Sequence, residues 1–263
     1  MVSIPLTQEP RQRVRLLVAY DGSAFHGFAR NVGVTTVAGT LEEHLSKICR
    51  EPITVTGAGR TDRGVHAWGQ VVTFDMDAHR LDPPRLQRSL NSLCPEALSV
   101  REVTAAPSNF DARYSAQWRR YRYSVLNTVA PNPFETATTW HVDEPIDLAA
   151  MRTGCAPLMG LHDFTSFCRR PPPFRGSDVG PTMMRRVLDA DWLDVGDGVL
   201  QFEITASAFC HQMVRSIVGT LVDVGRRRRK AVEVAEALHA RDRSMISNIA
   251  PAHGLCLWEV GYR

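Results

Sequence analysis

The chain has 263 residues, 44% of them hydrophobic and 22% charged, with a formal net charge of +3. This is an ordinary globular composition, long enough for one large or two modest domains, and it excludes a disordered chain or a fibrous repeat. No run approaches the roughly 18 apolar residues of a membrane span. Residues 1–15 carry charges and prolines without an apolar stretch, so no secretory signal is expected. Six cysteines without CxxC spacing read as reduced thiols of a cytoplasmic protein, with no metal site.

In chain order, Val14, Leu16, Val18 and Tyr20 alternate as in a strand. Val37, Leu41, Leu45 and Ile48 recur at helical spacing behind Thr36, a suitable N-cap. Residues 53–56 and 70–74 predict two further strands, Pro83-Pro84 opens a second helix, and 98–103 closes the series as a strand. The order β-α-β-β-α-β is that of the ferredoxin-like unit. The second half repeats it: a strand at 118–126, a helix at 147–159, and a hairpin at 186–195 and 200–206 around Gly196-Asp197-Gly198. Helices at 211–224 and 231–240 and a last strand at 255–260 follow. The predicted class is α+β, two ferredoxin-like halves (1–112 and 113–263) joined near 112–116. Residues 131–135 and 168–181 read as long loops.

Positive charge gathers at Arg119, Arg120 and Arg122, at Arg169, Arg170 and Arg175, and in the run Arg226 to Lys230. Such clusters suit a phosphate backbone, and equally a solvated face. The run follows Gly225, which reads as a helix C-cap. The most informative stretch is Gly57-Ala58-Gly59-Arg60-Thr61-Asp62-Arg63-Gly64-Val65-His66-Ala67. It lies between two strands. No Gly-Lys-Ser/Thr and no helix follows, which excludes a P-loop and a dinucleotide fingerprint. What remains is a glycine-shaped loop presenting an Asp between two arginines, which should keep it ionised. Taken alone, it could as well be an Asp capping a turn. His66, His162 and His211 have only scattered companions and read as ordinary hydrogen-bonded histidines.

Residues 59–67 resemble the active-site signature of the TruA family of tRNA pseudouridine synthases. The resemblance extends to residues 20–27 (YDGSAFHG), 110–113 (FDAR), 119–123 (RRYRY), 162–167 (HDFTSF), 211–215 (HQMVR) and 254–257 (GLCL), in the family's order and across essentially the whole chain. It implies two ferredoxin-like halves sharing one antiparallel sheet, with the active cleft between them. It also implies an isomerase that converts uridine to pseudouridine at positions 38, 39 and 40 of the tRNA anticodon stem-loop, as a homodimer, without cofactor or metal. By position it implies Asp62 as the nucleophile, Arg60 as its ion-pair partner, and Tyr121 as the tyrosine that stacks on the target base and can serve as general base. Leu255 falls on the aliphatic floor under the base and Arg215 on the arginine of base flipping. Arg227, Arg228 and Arg229 are expected to contact tRNA phosphates. One departure stands out: relatives read Gly-Trp-Gln where this chain has Gly27-Phe28-Ala29.

The chemistry suits these residue types. The N1–C1′ bond breaks, the uracil turns and rejoins through C5, so no redox group is required. A carboxylate can add to the sugar, add to the base, or remove a sugar proton, and the three routes stay open. Extruding a base from a stem costs a few kcal/mol and calls for basic side chains on the backbone. Two other functions compete. A carboxylate-dependent nucleoside hydrolase would release free uracil. A non-catalytic RNA-binding protein on the same scaffold would need exposed aromatics on the sheet, and Tyr121 and Tyr123, assigned to opposite faces, do not form such a platform.

Overall fold

The computed structural model describes residues 10–170, 180–246 and 248–262. Ten strands form one sheet, in the order β4-β1-β3-β10-β5-β9-β8-β7 with β2 beside β3 and β6 beside β5. The first strand, β1 (Arg11–Tyr20), buries Val14, Leu16, Val18 and Tyr20 on one face, as the alternation predicts. Then come α1 (Val37–Cys49), capped by the Thr36 hydroxyl accepting from Gly39 N, β2 (Thr56–Gly57), β3 (His66–Asp77), α2 (Pro83–Leu93) and β4 (Leu98–Ala106). After the 107–117 segment run β5 (Trp118–Leu126), β6 (Trp140–His141), α3 (Leu148–Cys155), β7 (Gly160–Asp163), β8 (Met184–Asp194) and β9 (Val199–Ala206). α4 (Met213–Gly225), α5 (Val232–Ala240) and β10 (Leu255–Gly261) complete the series.

The strand order β4-β1-β3-β2 in the first half recurs as β10-β5-β9-β8 in the second, each with the fourth main strand beside the first. The halves meet where β3 pairs β10, through His66↔Cys256 and Ala67↔Leu257. This seam is parallel within a sheet whose other main ladders are antiparallel. β3 runs against β1 and β10 against β5, so the first strands of the two halves point the same way. Val14, Leu16, Val72, Phe74, Leu41, Leu45 and Leu90 pack into one core with Phe202, Ile204, Leu221 and Leu257 from beyond the seam. Burial of this face is the main driving force holding the halves together.

Two corrections follow. The hairpin between β8 and β9 turns as expected, with positive φ at Gly196, Asp197 and Gly198. Gly225, however, is not the left-handed cap of α4. It is the last helical residue, and a Cβ there would lie 2.8 Å from Ile146 Cγ2 and 2.9 Å from Met151 Cγ. The left-handed residue is Arg227, with φ 59°. Tyr121 and Tyr123 are two apart on β5 and share one buried face, because side chains alternate with period two. They still form no exposed platform, for reasons of burial rather than direction. On the opposite face Trp68 and Trp258 stack at 6.0 Å, with Arg101 3.7 Å over the first ring and Arg122 3.8 Å over the second, so neither ring offers a bare face.

Candidate active site

Residues 58–65 connect β2 to β3 and are held by side chains from several elements. Ala58 N donates to Val71 O at 2.8 Å, and the Gln70 amide donates to Gly59 O at 2.8 Å. Thr61 is held twice: its hydroxyl shares a 2.7 Å hydrogen bond with the Tyr20 hydroxyl, and its carbonyl accepts from Phe28 N at 3.0 Å. Phe28 is buried, with its ring over Gly57 where a Cβ would come within 2.4 Å. The departure from Trp at this position therefore keeps an aromatic wedge under the loop. Gly22 packs so closely that a Cβ would meet Val65 O at 2.1 Å, and its amide donates to His66 Nδ1. His66 Nε2 reaches Ala137 O and His253 O, and its Nδ1 also lies 3.1 Å from Asp21 Oδ1. His66 is thus the hydrogen-bonded histidine expected of it, and it ties the loop to the segment before β10.

The loop turns after Asp62, with Val65 N donating to Asp62 O at 3.1 Å, and presents the half-exposed carboxylate to the second half of the chain. His211 Nε2 lies 3.3 Å from Asp62 Oδ1, and Arg215 Nη1 lies 3.8 Å from Oδ2. Arg60, expected as the ion-pair partner, is exposed and has no ion pair to Asp62 among the described residues. The turn that swings the carboxylate across the cleft leaves Arg60 facing solvent. Arg215 is anchored in its turn: its Nε donates to Ala250 O at 2.7 Å, while Ala250 N donates to Arg215 O.

Tyr121 is 7% exposed and its ring packs edge-on against Phe209 at 4.9 Å. Burial, with help from Tyr20 and Asp62, pushes its phenol well above the ordinary range. The hydroxyl therefore stays protonated at neutral pH, and stacking and hydrogen-bond donation are what the ring offers. Leu257 pairs with Tyr121 and Leu255 with Tyr123 across β5 and β10, so Leu255 is a diagonal neighbour of Tyr121 on the same face. The structure thus sets Asp62 near Arg215 and Tyr121, with Leu255 on the face that Tyr121 shares, and adds His211, which sequence reading set aside. The spacing of His211 and Arg215, four apart, was the signal available.

The arginine clusters separate. Arg119 is 9% exposed and donates to Ala58 O, Arg113 O, Ala116 O and Ser207 O. Burial pushes its guanidinium down, and its task is to brace the loop from β5. Arg120 pairs with Glu259, and Arg122 with Glu203, so this cluster is not an open phosphate patch. Arg226 and Arg228 both engage Glu144, Arg229 donates to Met245 O, and Arg227 is 83% exposed with Asp147 at 3.5 Å. This run lies at the far end of α4, roughly 18 Å from Arg215 at 1.5 Å per residue. Arg175 lies outside the described residues.

The family model described as tRNA pseudouridine synthase matches residues 16–115 and 155–263. The chain belongs to the tRNA pseudouridine synthase family. It is 39% identical to tRNA pseudouridine synthase A of Leifsonia xyli subsp. xyli, over 95% of this chain and 91% of that one. Identity to the tRNA pseudouridine synthase A of Caulobacter sp. (strain K31) is 40%, over 95% and 98% of the two chains. For that of Bacillus subtilis (strain 168) it is 36%, over 95% and 99%. The family match includes the loop that carries Asp62 and the whole of α4 and β10, while β5, which carries Tyr121, falls between its two segments.

Proposed function

We propose that this tRNA pseudouridine synthase isomerises uridine at positions 38, 39 and 40 of the anticodon arm, with Asp62 as its nucleophile. The observation that carries the reading is the Asp62 carboxylate, presented between His211 and Arg215 beside the Tyr121 ring. The labour divides between residues 1–112, which bring Asp62, and residues 113–263, which bring Tyr121, Leu255 and Arg215. Each chemical route opens with an Asp62 oxygen, at the sugar, at the base or at a sugar hydrogen. The N1–C1′ bond breaks, the freed uracil turns between the Tyr121 ring and Leu255, and a C1′–C5 bond forms. The proton lost from C5 balances the one gained at N1. A flat ring and an aliphatic floor hold the base without fixing its in-plane orientation, which the turn requires.

Asp62→Asn is close to isosteric and removes the nucleophile. It should abolish pseudouridine formation in an anticodon-arm transcript while tRNA affinity stays within about twofold. An active Asp62→Asn enzyme would refute the assignment, and mapping of modified positions tests the choice of 38, 39 and 40. Release of free uracil instead of pseudouridine would favour a hydrolase. The same reading carries a cytoplasmic homodimer, which light scattering of the purified protein checks.

A further inference from the structure

Asp62 has two carboxylate oxygens, and each has its own partner: His211 at Oδ1 and Arg215 at Oδ2. We propose that His211 is a positioning residue for Asp62, the second arm of a two-point clamp that sets the plane of the carboxylate. The inference rests on the reading of Asp62 as nucleophile. The terminal torsion of an Asp side chain is broad and roughly two-fold, so one partner leaves the plane free to rotate. Two partners on different oxygens define it. Reactive groups must be held within about 0.5 Å and 10–20°, and a group carried on a loop needs outside support to achieve that.

The backbone around His211 is built to aim it. Its carbonyl accepts from Arg169 N at 3.0 Å, which fixes the residue to the neighbouring segment. The next residue, Gln212, is the N-cap of α4 and holds a left-handed conformation, φ 64°, without a side-chain cap bond. Such a conformation is costly for a residue with a Cβ and gathers at functional sites. Here the turn ends the incoming segment just before α4, so that His211, outside the helix, and Arg215, in its first turn, converge on one carboxylate. The imidazole is more than two-fifths exposed, so it faces the cleft rather than filling the core. The other charged neighbours on the loop, Arg60 and Arg63, are exposed and make no ion pair with Asp62 among the described residues. Both contacts are on the long side, as catalytic contacts often are before substrate draws them in.

A clamp of this kind needs an N–H donor at Nε2, and a charge is not essential to it. Glutamine, whose amide nitrogen extends about as far, should replace it, whereas alanine should not. The test measures pseudouridine formation on tRNA transcripts, tRNA affinity and thermal stability for wild type, His211→Ala, His211→Gln and Asp62→Asn. His211→Ala should lower kcat by about 10- to 100-fold, the scale of a misplacement near 1 Å. Its KM and tRNA Kd should stay within about threefold, and His211→Gln should recover most of the loss. The clamp is overturned by a His211→Ala enzyme with wild-type kcat, by a variant that raises KM alone, or by a glutamine variant no better than alanine. Because the side chain is exposed, His211→Gln keeps the test open even if the alanine variant folds poorly. An active Asp62→Asn enzyme would sink the nucleophile assignment instead, which separates the two failures.

Discussion

Tyr20 and Thr61 share a 2.7 Å hydrogen bond between hydroxyls, one residue ahead of Asp62. The bond is buried and joins β1 to the loop, and Gln70 approaches the same Tyr20 hydroxyl at 3.4 Å while holding Gly59 O. Tyr20→Phe strips the bond but keeps the ring, leaving the Thr61 hydroxyl without its partner in a buried site. Denaturant melts should show a loss of about 1–3 kcal/mol. Because the change releases the residue next to the proposed nucleophile, kcat should fall further than KM rises. An unchanged kcat would show that the loop keeps its shape without this bond.

Arg215 and Arg60 should behave differently. Arg215 touches Asp62 and is locked to Ala250, so Arg215→Ala should cut kcat by at least 100-fold with little effect on KM. Arg60 is exposed and unpaired to Asp62, so Arg60→Ala should act mainly on tRNA affinity. Steady-state kinetics on one tRNA, with binding measured separately, decides it. A collapse of kcat in Arg60→Ala at unchanged affinity would restore Arg60 as the partner of Asp62.

Within the basic run, Arg227 is the side chain best placed to meet a phosphate. Its ion pair with Asp147 is exposed and contributes little, whereas Arg226 and Arg228 share Glu144. Arg227→Ala should reduce the slope of log affinity against log salt by about 0.7 to 0.9, one contact's worth. Arg228→Ala should change it less, and Arg227, Arg228 and Arg229 replaced together should flatten it most. Equal slopes for wild type and the triple variant would move the tRNA face elsewhere, with Arg169 and Arg170 next.

Alkaline pH should unfold the protein through its tyrosines. Burial pushes Tyr20, Tyr121, Tyr123 and Tyr262 well above their ordinary value, while Tyr114 is exposed. Folded phenols then stay neutral where unfolded ones ionise. Their contribution to stability is complete below about pH 10 and lost as pH rises toward the folded values, at about 1.4 kcal/mol per pH unit for each. Absorbance titration should show these four phenols ionising only as the protein unfolds. Titration of Tyr20, Tyr121, Tyr123 and Tyr262 near pH 10 in folded protein would contradict the burial.

Much of this architecture is legible in the sequence because it is local. β1 and α1 announce themselves by period and by the Thr36 cap. β3 begins at His66, four residues before the expected strand, because the residues from 66 to 69 are shaped by neighbours rather than by alternation: a Cβ on Gly69 would meet Trp258 O at 2.3 Å. The short strands β6 and β7 carry too few residues for any period to show. Of the candidate site, Asp62, Tyr121, Leu255 and Arg215 are expected from their place in the resemblance, whereas the contacts they make are not. That Asp62 faces His211 rather than Arg60 depends on a turn, and on a contact between residues about 150 apart in the chain. Local charge spacing cannot report such a contact.

The seam between β3 and β10 sets the order in which the enzyme becomes competent. β10 is the last strand made, yet it lies in the middle of the sheet, between β3 and β5. Until residues 255–261 are in place, β3 and β5 lack the strand that lies between them, and the Arg119 bond to Ala58 O has no sheet behind it. Closing the seam joins His66 to Cys256, a separation that belongs to slow, non-local folding. A chain stopped before residue 255 would leave β3 and β5 as separate sheet edges, with Asp62 and Tyr121 on either side of the gap.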